Sequence, residues 1–516
     1  AIGRATMHER DVLDEGSHVF DQQRRMLLHS SRHKRSQTIG KKKQPQLTLL
    51  IFLVHLLKFR TFATMHQEAV KGNAKPPTAV PRYTASTANK TLTRRAWDFL
   101  LLAFPFIDLF LFRYSFQLFP GPLGYGPLLC MYVLLPFFVM RYQFPSRVAL
   151  TLGLVGLIGA SGFFSGVVEP RIFIKVFGSL ILPYFYYWYL WLYLGKDVIR
   201  GFRIYLKGAQ IVSVFGLLIF VDSIVSLGFF EFINSLININ RTPASFGIRI
   251  AGTLGEPTYF ANTIAPAGFF AMLRLFFGET NLALRLKEQG LWMTRYAAAL
   301  ILLAMALTFS AMALTGILVI IILHLLIKRK VQALLITPLV IFALLYAARS
   351  IPEINERLEG LQNTSALAEG DVHGSSAILY NHAVITWENF RRNPFFGTGL
   401  GSHPEATKKY SVLRDTALFH YAEQNAPDAS SMFLRIASEL GLFGILIILF
   451  FLVRNYFVVL PTDIDGLVLK MISSAFLVTI LLQLMRQGNF ILNGFPFYVY
   501  GYQFAWKQFK NRKAIK

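Results

Sequence analysis

Residues 434–453 read LRIASELGLFGILIILFFLV. From Leu442 onward the run is apolar without a break, and it is continuous rather than alternating. Continuity over this length selects a helix over a strand. At ~1.5 Å per residue the segment reaches about 30 Å, the thickness of a bilayer's hydrocarbon core. In lipid a backbone must satisfy its own hydrogen bonds, so a helix or a closed barrel is required. Arg435 and Glu439 break the apolar character at the start of the run. Four residues apart, they share a helix face. Unpaired charge there is costly, so the pair is either a bland helix staple or the support of a site.

Working outward, apolar segments of this kind recur at 98–119, 122–140, 148–166, 172–195, 208–229, 258–277, 294–309, 311–327, 331–348, 467–485 and 490–506. The composition agrees. The chain has 516 residues, 54% hydrophobic and 15% aromatic, with mean hydropathy +0.46. The predicted fold is an all-α polytopic membrane protein, a bundle of about 12 transmembrane helices. A long polar stretch, 349–433, separates the ninth and tenth spans and is predicted to be a large helical loop. The predicted organisation is a basic extension over 1–95, spans one to nine over 96–348, the loop over 349–433, and the last three spans with a basic tail over 434–516. The single cysteine, Cys130, allows no internal disulfide.

Charge assigns the sides. One alternating set of loops carries Arg141 and Arg147, then Lys196, Arg200, Arg203 and Lys207. It continues with Arg274, Arg285, Lys287 and Arg295, then Lys328 to Lys330, Arg454 and Lys470, and the tail KQFKNRKAIK. The positive-inside rule places this set, and both termini, in the cytoplasm. The connections 230–257 and 349–433 then face outward. The net charge is +24, about half of it before Asp98. A basic tail suits nucleic acid, but charge flanking a first span more simply holds that span's cytoplasmic end, so no nucleic-acid partner is expected. The region before Arg95 holds HSSRHKRSQTIGKKK and a short apolar piece, 47–57. It is expected to be disordered or interfacial, or else translated upstream sequence with Met65 as the natural start.

The outward connections carry the chemistry. The first contains NINRTPASFGIRIAGTLGEPTYFAN, with Arg241 and Arg249 ahead of a Gly-rich turn that feeds a helix near Pro257. Glycines let backbone approach a ligand closely, and guanidinium grips phosphate bidentately. Arg249 reads equally as an interfacial anchor. The second contains WENFRRNPFFGTGLGSH, with Arg391, Arg392 and His403. Its glycines do not follow a strand in a βαβ unit, so a dinucleotide loop fails its context test. His403 fits a general base or a solvated loop histidine. Asp428, in NAPDASSMFLR, reads first as a helix cap. Arg486 sits at the outward end of the eleventh span.

RIAGTLGEPTYFAN, NPFFGTGLGSH and FLRIASELGLFG, in this order, resemble the motifs of the O-antigen polymerase and O-antigen ligase superfamily of bacterial envelope proteins. Arg249 matches the arginine before that family's Gly-x-x-Gly-x-Pro turn, carried here by Gly252, Gly255 and Pro257. Pro394, Gly397, Gly399 and Gly401 match the second motif, and Glu439, Gly441 and Gly444 the end of the third. The resemblance implies a metal-independent glycosyltransferase of the inner membrane with no cofactor. Its donor would be an undecaprenyl-diphosphate-linked glycan, and a flippase and a chain-length regulator would be pathway partners. Arg249 and Arg486, with Arg241, would hold the diphosphate. His403 would be the base, with Glu439 and Asp428 behind it. Ligases of the family show His-Asn where this chain has Ser430 and Ser431. Their arginine in the helix before Pro394 is missing near Leu379 and Tyr380, where His403, His420, Arg391 or Arg392 would substitute. The expected activity is therefore repeat-unit polymerisation, ahead of ligation to an acceptor such as lipid A core and of a lipid-linked sugar flippase.

Overall fold

The computed structural model describes residues 101, 105–111, 126–142, 144–225, 228, 243–244, 247–277, 280–327, 338, 346 and 374–515. The predicted extension 1–95, Arg241, most of the spans 98–119 and 331–348, and the loop portion 349–373 lie outside the described residues.

Helices dominate. They are α1 (Gly126–Arg141), α2 (Ser146–Gly159), α3 (Pro170–Tyr193) and α4 (Val198–Val225), followed by a two-residue hairpin, β1 (Pro243–Ala244) and β2 (Gly247–Ile248). Then come α5 (Pro257–Met272), α6 (Thr280–Glu288), α7 (Arg295–Ala306) and α8 (Ala311–Ile327). The polar stretch supplies α9 (Gly374–Arg392) and α10 (His403–Tyr410). The chain closes with α11 (Met432–Asn455), α12 (Ile464–Arg486) and α13 (Phe495–Ile515). Among the described residues, four helical stretches are long and apolar enough to cross a membrane: 146–164, α4, α11 and α12. The expected spans inside the described residues each correspond to a helix, most of them displaced by a few residues, while α4 begins ten residues before the expected 208 and α13 ends nine after the expected 506. The π-helical turn Leu273–Phe277 extends α5.

Local chemistry sets the ends. Pro170 and Pro257 open α3 and α5, where a missing N–H costs nothing. Thr294, Ser431 and Asp463 cap α7, α11 and α12 by accepting from Ala297, Leu434 and Gly466 N–H groups. Asp428, read as a cap, does not start α11: Ser431 is its cap, and Asp428 accepts from Ser430 N–H at 3.0 Å.

α12 is the inner helix. Its apolar window is 94% buried, against 33% for α4. It packs on α5 and α13, and α5 also packs on α7 and α8. Between α5 and α12 a polar ladder replaces apolar contact. Asn262 donates to Gln483 Oε1 at 2.8 Å, and Thr479 donates to the Asn262 carbonyl at 3.1 Å. Without a hydrophobic drive inside lipid, such bonds and close packing hold helices together. An aromatic cluster fills the other side of α12: Trp191 stacks on Phe497 at 5.0 Å and meets Phe476 edge-on.

α11 is broken at Gly441, where φ is 61° and ψ is −153°, a conformation open only to glycine. The break frees backbone groups, and the Pro394–Gly401 turn takes them. Leu442 N–H donates to the Pro394 carbonyl at 2.7 Å and Phe443 N–H to Phe395 at 3.1 Å. In return Thr398 and Gly399 N–H groups donate to the Ser438 and Glu439 carbonyls at 3.2 and 2.8 Å. A Cβ on Gly441 would stand 2.6 Å from Gly397 N. We therefore expect Gly441→Ala to cost on the order of 1–3 kcal/mol from backbone strain alone, with a steric penalty added. Thermal unfolding of the purified variant in detergent checks this; an unchanged midpoint would show that the break is dispensable.

Candidate functional site

The starts of α5, α9, α10 and α11 and the end of α12 meet at one end of the bundle, and the polar side chains gather there. Arg249 follows β2. Its Nε donates to the Thr308 carbonyl at 3.0 Å, just past the end of α7. Gly252 and Gly255, both at positive φ, turn the chain into α5. Glu256, the residue before Pro257, is solvent-exposed and accepts from Thr258 Oγ1 at 3.3 Å. Although water reaches it, surrounding protein raises its carboxyl above the ordinary value, and Asp428 adds to this. The Thr258 bond, Arg249 and Arg486 oppose the shift. Glu256 thus stands within electrostatic range of both arginines.

Arg486 closes α12 and donates to the Ser375 carbonyl at 3.2 Å, tying that helix to the start of α9. It also acts on Asp428 and His382. Burial raises the Asp428 carboxyl, against the Ser430 N–H, Arg435, His382 and Arg486. So Arg249, Arg486 and Asp428, predicted from separate motifs, share one neighbourhood through Glu256.

Behind them lies a buried layer. Arg435 donates to Glu439 Oε1 at 3.1 Å and to the Gly488 carbonyl at 3.1 Å, and its guanidinium covers the Phe490 ring at 4.4 Å. Its side chain is 8% exposed and that of Glu439 0%, so Glu439 has no route to a substrate without movement. His403 is also wholly buried. Its Nε2 lies 3.0 Å from His382 Nδ1, and its Nδ1 lies 3.0 Å from Ser438 Oγ. His382 Nε2 is 2.8 Å from the Gln424 carbonyl.

These contacts fix the protons. A carbonyl only accepts, so His382 Nε2 carries hydrogen and, in the neutral ring, Nδ1 accepts. His403 Nε2–H then donates to His382, and Ser438 O–H donates to His403 Nδ1. Ser438 Oγ accepts from Asn389 Nδ2 at 2.9 Å. Burial pushes both imidazoles down, His403 well below the usual histidine value, with His382 and Arg435 adding to the effect. The chain Asn389–Ser438–His403–His382–Gln424 is thus neutral and directional, and His403 reaches any proton outside only through a neighbour.

Arg391 and Arg392 stand apart. Both are exposed and pair with Glu388, at 3.0 and 3.8 Å, and Arg392 also covers Tyr410 at 5.0 Å. Glu256, His382 and Ser438 lie with Arg249, Arg486 and His403 but were not among the predicted site residues, and Arg435 was read only as a staple or a support. Glu256 was visible as a variable position of the Gly-x-x-Gly-x-Pro turn. Nothing in the spacing of His382 marks it. Among the described residues no group of three His, Cys, Asp or Glu side chains is placed to hold a metal.

The histidine chain generates a pH test. The folded state holds fewer protons on His382 and His403 than the unfolded chain does. Their contribution is therefore present above an unfolded pKa of about 6.5 and lost as pH falls below it. The loss is up to ~1.4 kcal/mol per pH unit for each ring. Melting temperature should fall between pH 7 and pH 5.5, and the slope should shrink in His403→Gln, measured as paired melting curves. Equal slopes would remove the neutral pair.

Residues 296–449 match the family model described as O-antigen ligase. The match spans α7 to most of α11, including His382, His403, Asp428, Arg435 and Glu439, and leaves Arg249, Glu256 and Arg486 outside it. Among curated proteins no sequence matches the chain. Over 296–449 the chain is thus similar to the O-antigen ligase family, in line with the superfamily its ordered motifs resemble.

Proposed function

We propose that the protein polymerises undecaprenyl-diphosphate-linked oligosaccharide repeat units into exopolysaccharide or O-antigen, at the outer face of a bacterial inner membrane. The observation that carries this reading is that Arg249, tied to the Thr308 carbonyl, and Arg486, tied to the Ser375 carbonyl, both act on the exposed Glu256, as does Asp428. Two fixed cations beside an accessible carboxylate of raised proton affinity suit one displacement. The acceptor hydroxyl attacks the anomeric carbon, the carbon–oxygen bond to the diphosphate breaks, and a glycosidic bond forms. Negative charge grows on the departing diphosphate, and guanidinium groups stabilise it best where water is scarce. The hydroxyl proton passes to Glu256, with Asp428 the second candidate. His403 and Glu439 act from the buried layer, holding Ser438 and Arg435 in place.

The reading places the arginine end of the bundle outward and both termini in the cytoplasm, in line with the loop charges. The description of the matched family favours a second reading, transfer of finished glycan to an acceptor such as lipid A core. One reconstitution separates the two. Purified protein in liposomes, given undecaprenyl-diphosphate oligosaccharide alone, should produce a ladder of lipid-linked oligomers. Product only after addition of lipid A core would establish the ligase instead. Donor left unconsumed under both conditions would remove both readings.

Within that assay Arg249→Lys should lower turnover on the order of 10²-fold, since a point charge cannot copy the guanidinium fork. Glu256→Gln should lower it roughly 10²–10⁴-fold. A base must be ionised, so activity should fall as pH drops through the raised carboxyl value, above the ordinary 4.5. That acid limb should disappear in Glu256→Gln. A limb that persists in the variant would move the base to Asp428.

A further inference from the structure

Away from the arginine end, an apolar cavity and a cluster of cations coincide. A groove of about 1150 Å³ runs between α2, α3, α11 and α13, walled by apolar residues such as Leu152, Leu180, Ile447, Phe451 and Val499. At one end it reaches Ile436 and Phe490, beside Arg435. Its lining also includes Arg147, Lys196, Arg454, Lys507 and Lys510, all from the opposite ends of these helices and the turns joining them. Asp197 is the only acidic lining residue, and its Oδ1 is occupied by the backbone N–H groups of Ile199 and Arg200, at 3.0 and 3.2 Å. Among the described residues none of the five cations forms a salt bridge.

Gathering like charge without a counter-ion is unfavourable, and Lys196, Arg147 and Arg454 all lie within electrostatic range of Lys507. Aromatic rings flank the cluster. Lys507 covers Trp188 at 4.9 Å, Lys510 covers Trp506 at 5.4 Å and Arg454 covers Phe450 at 5.4 Å. Tryptophan and cations at the mouth of an apolar groove mark the water–hydrocarbon boundary. Basic pockets between transmembrane helices on the cytoplasmic side take anionic lipid headgroups.

We propose that this groove is a binding site for an anionic glycerophospholipid, of the phosphatidylglycerol type. Its phosphate sits among Lys507, Lys510, Arg454, Arg147 and Lys196, and its acyl chains lie against the apolar wall. The site is separate from the one that would hold a lipid diphosphate. The uninterrupted part of α11, from Leu442 beside the Gly441 break to Arg454, alone reaches about 18 Å at ~1.5 Å per residue. One headgroup cannot serve both. The membrane leaflet at the basic end supplies the glycerophospholipid directly.

The full-length protein in nanodiscs of phosphatidylcholine with added phosphatidylglycerol provides the test, with bound lipid read by native mass spectrometry. Wild type should retain phosphatidylglycerol over phosphatidylcholine. The triple variant Arg454→Gln, Lys507→Gln, Lys510→Gln should lose roughly fivefold in affinity per charge, on the order of a hundredfold in all. Lys507→Arg with Lys510→Arg should keep the preference, which separates lost charge from lost folding. The charge-matched variant Lys408→Gln, Lys409→Gln, Arg414→Gln, in the polar stretch, should bind as wild type. Equal retention of both lipids, undiminished phosphatidylglycerol in the triple variant, or an equal loss in the charge-matched variant would overturn the proposal. Recovery of a polyprenyl phosphate as the lipid lost on substitution would overturn it too.

Discussion

The polar end of the molecule depends on one interrupted helix. Where α11 breaks at Gly441, its freed backbone groups pair with the turn from Pro394 to Gly399. Inside a membrane protein an unpaired N–H or carbonyl costs several kcal/mol, so a break survives only where another segment satisfies it. The turn does so with four backbone bonds, two in each direction. That seam fixes Ser438 and Glu439 against α10. It explains why the glycines of the two motifs matter together: Gly397 and Gly441 let the two backbones touch, and a Cβ on Gly397 would meet Glu439 at 2.5 Å.

A second tier follows from the first. Arg435 and Glu439 are buried side by side, and their attraction alone seldom repays the loss of water. Arg435 is therefore also spent on the Gly488 carbonyl and the Phe490 ring, which ties α11 to the segment after α12. The histidine chain works without charge. Its protons run one way from Asn389 to Gln424, so α9, α10 and α11 are held in a single arrangement. A rigid, neutral layer of this kind locks α9, α10 and α11 together beneath the polar end of the bundle. Preorganisation of that kind is what electrostatic catalysis requires.

Much of this was legible along the chain. Continuous apolar runs predicted α3, α5, α7, α8, α11 and α12 within a few residues, because segment length is dictated by bilayer thickness and not by a partner; α4 and α13 run nine or ten residues further at their polar, basic ends. The i, i+4 spacing of Arg435 and Glu439 gave the ion pair of α11, and the cap read at Asp428 fell three residues before the true cap, Ser431, both local effects. The loop glycines pointed to tight backbone paths, and Gly397, Gly399 and Gly401 all adopt positive φ. Arg249 and Arg486 were singled out singly, by their place beside helix ends. Among the described residues four helical stretches reach membrane length and hydropathy, whereas the apolar segments along the chain had suggested about 12 spans.

What the sequence by itself determined is therefore whatever rests on neighbours in the chain: apolar length, helix caps, glycine turns and the ordered motifs. Only the tertiary structure decided that His403 is sealed behind His382 and Ser438, that Glu256 stands with both arginines, and that Arg391 and Arg392 pair with Glu388 instead. The reason is range. A hydrogen bond between His382 and His403, or the field of Arg486 on Glu256, joins residues remote in sequence, and no period or spacing along one chain encodes which helix ends will meet in space.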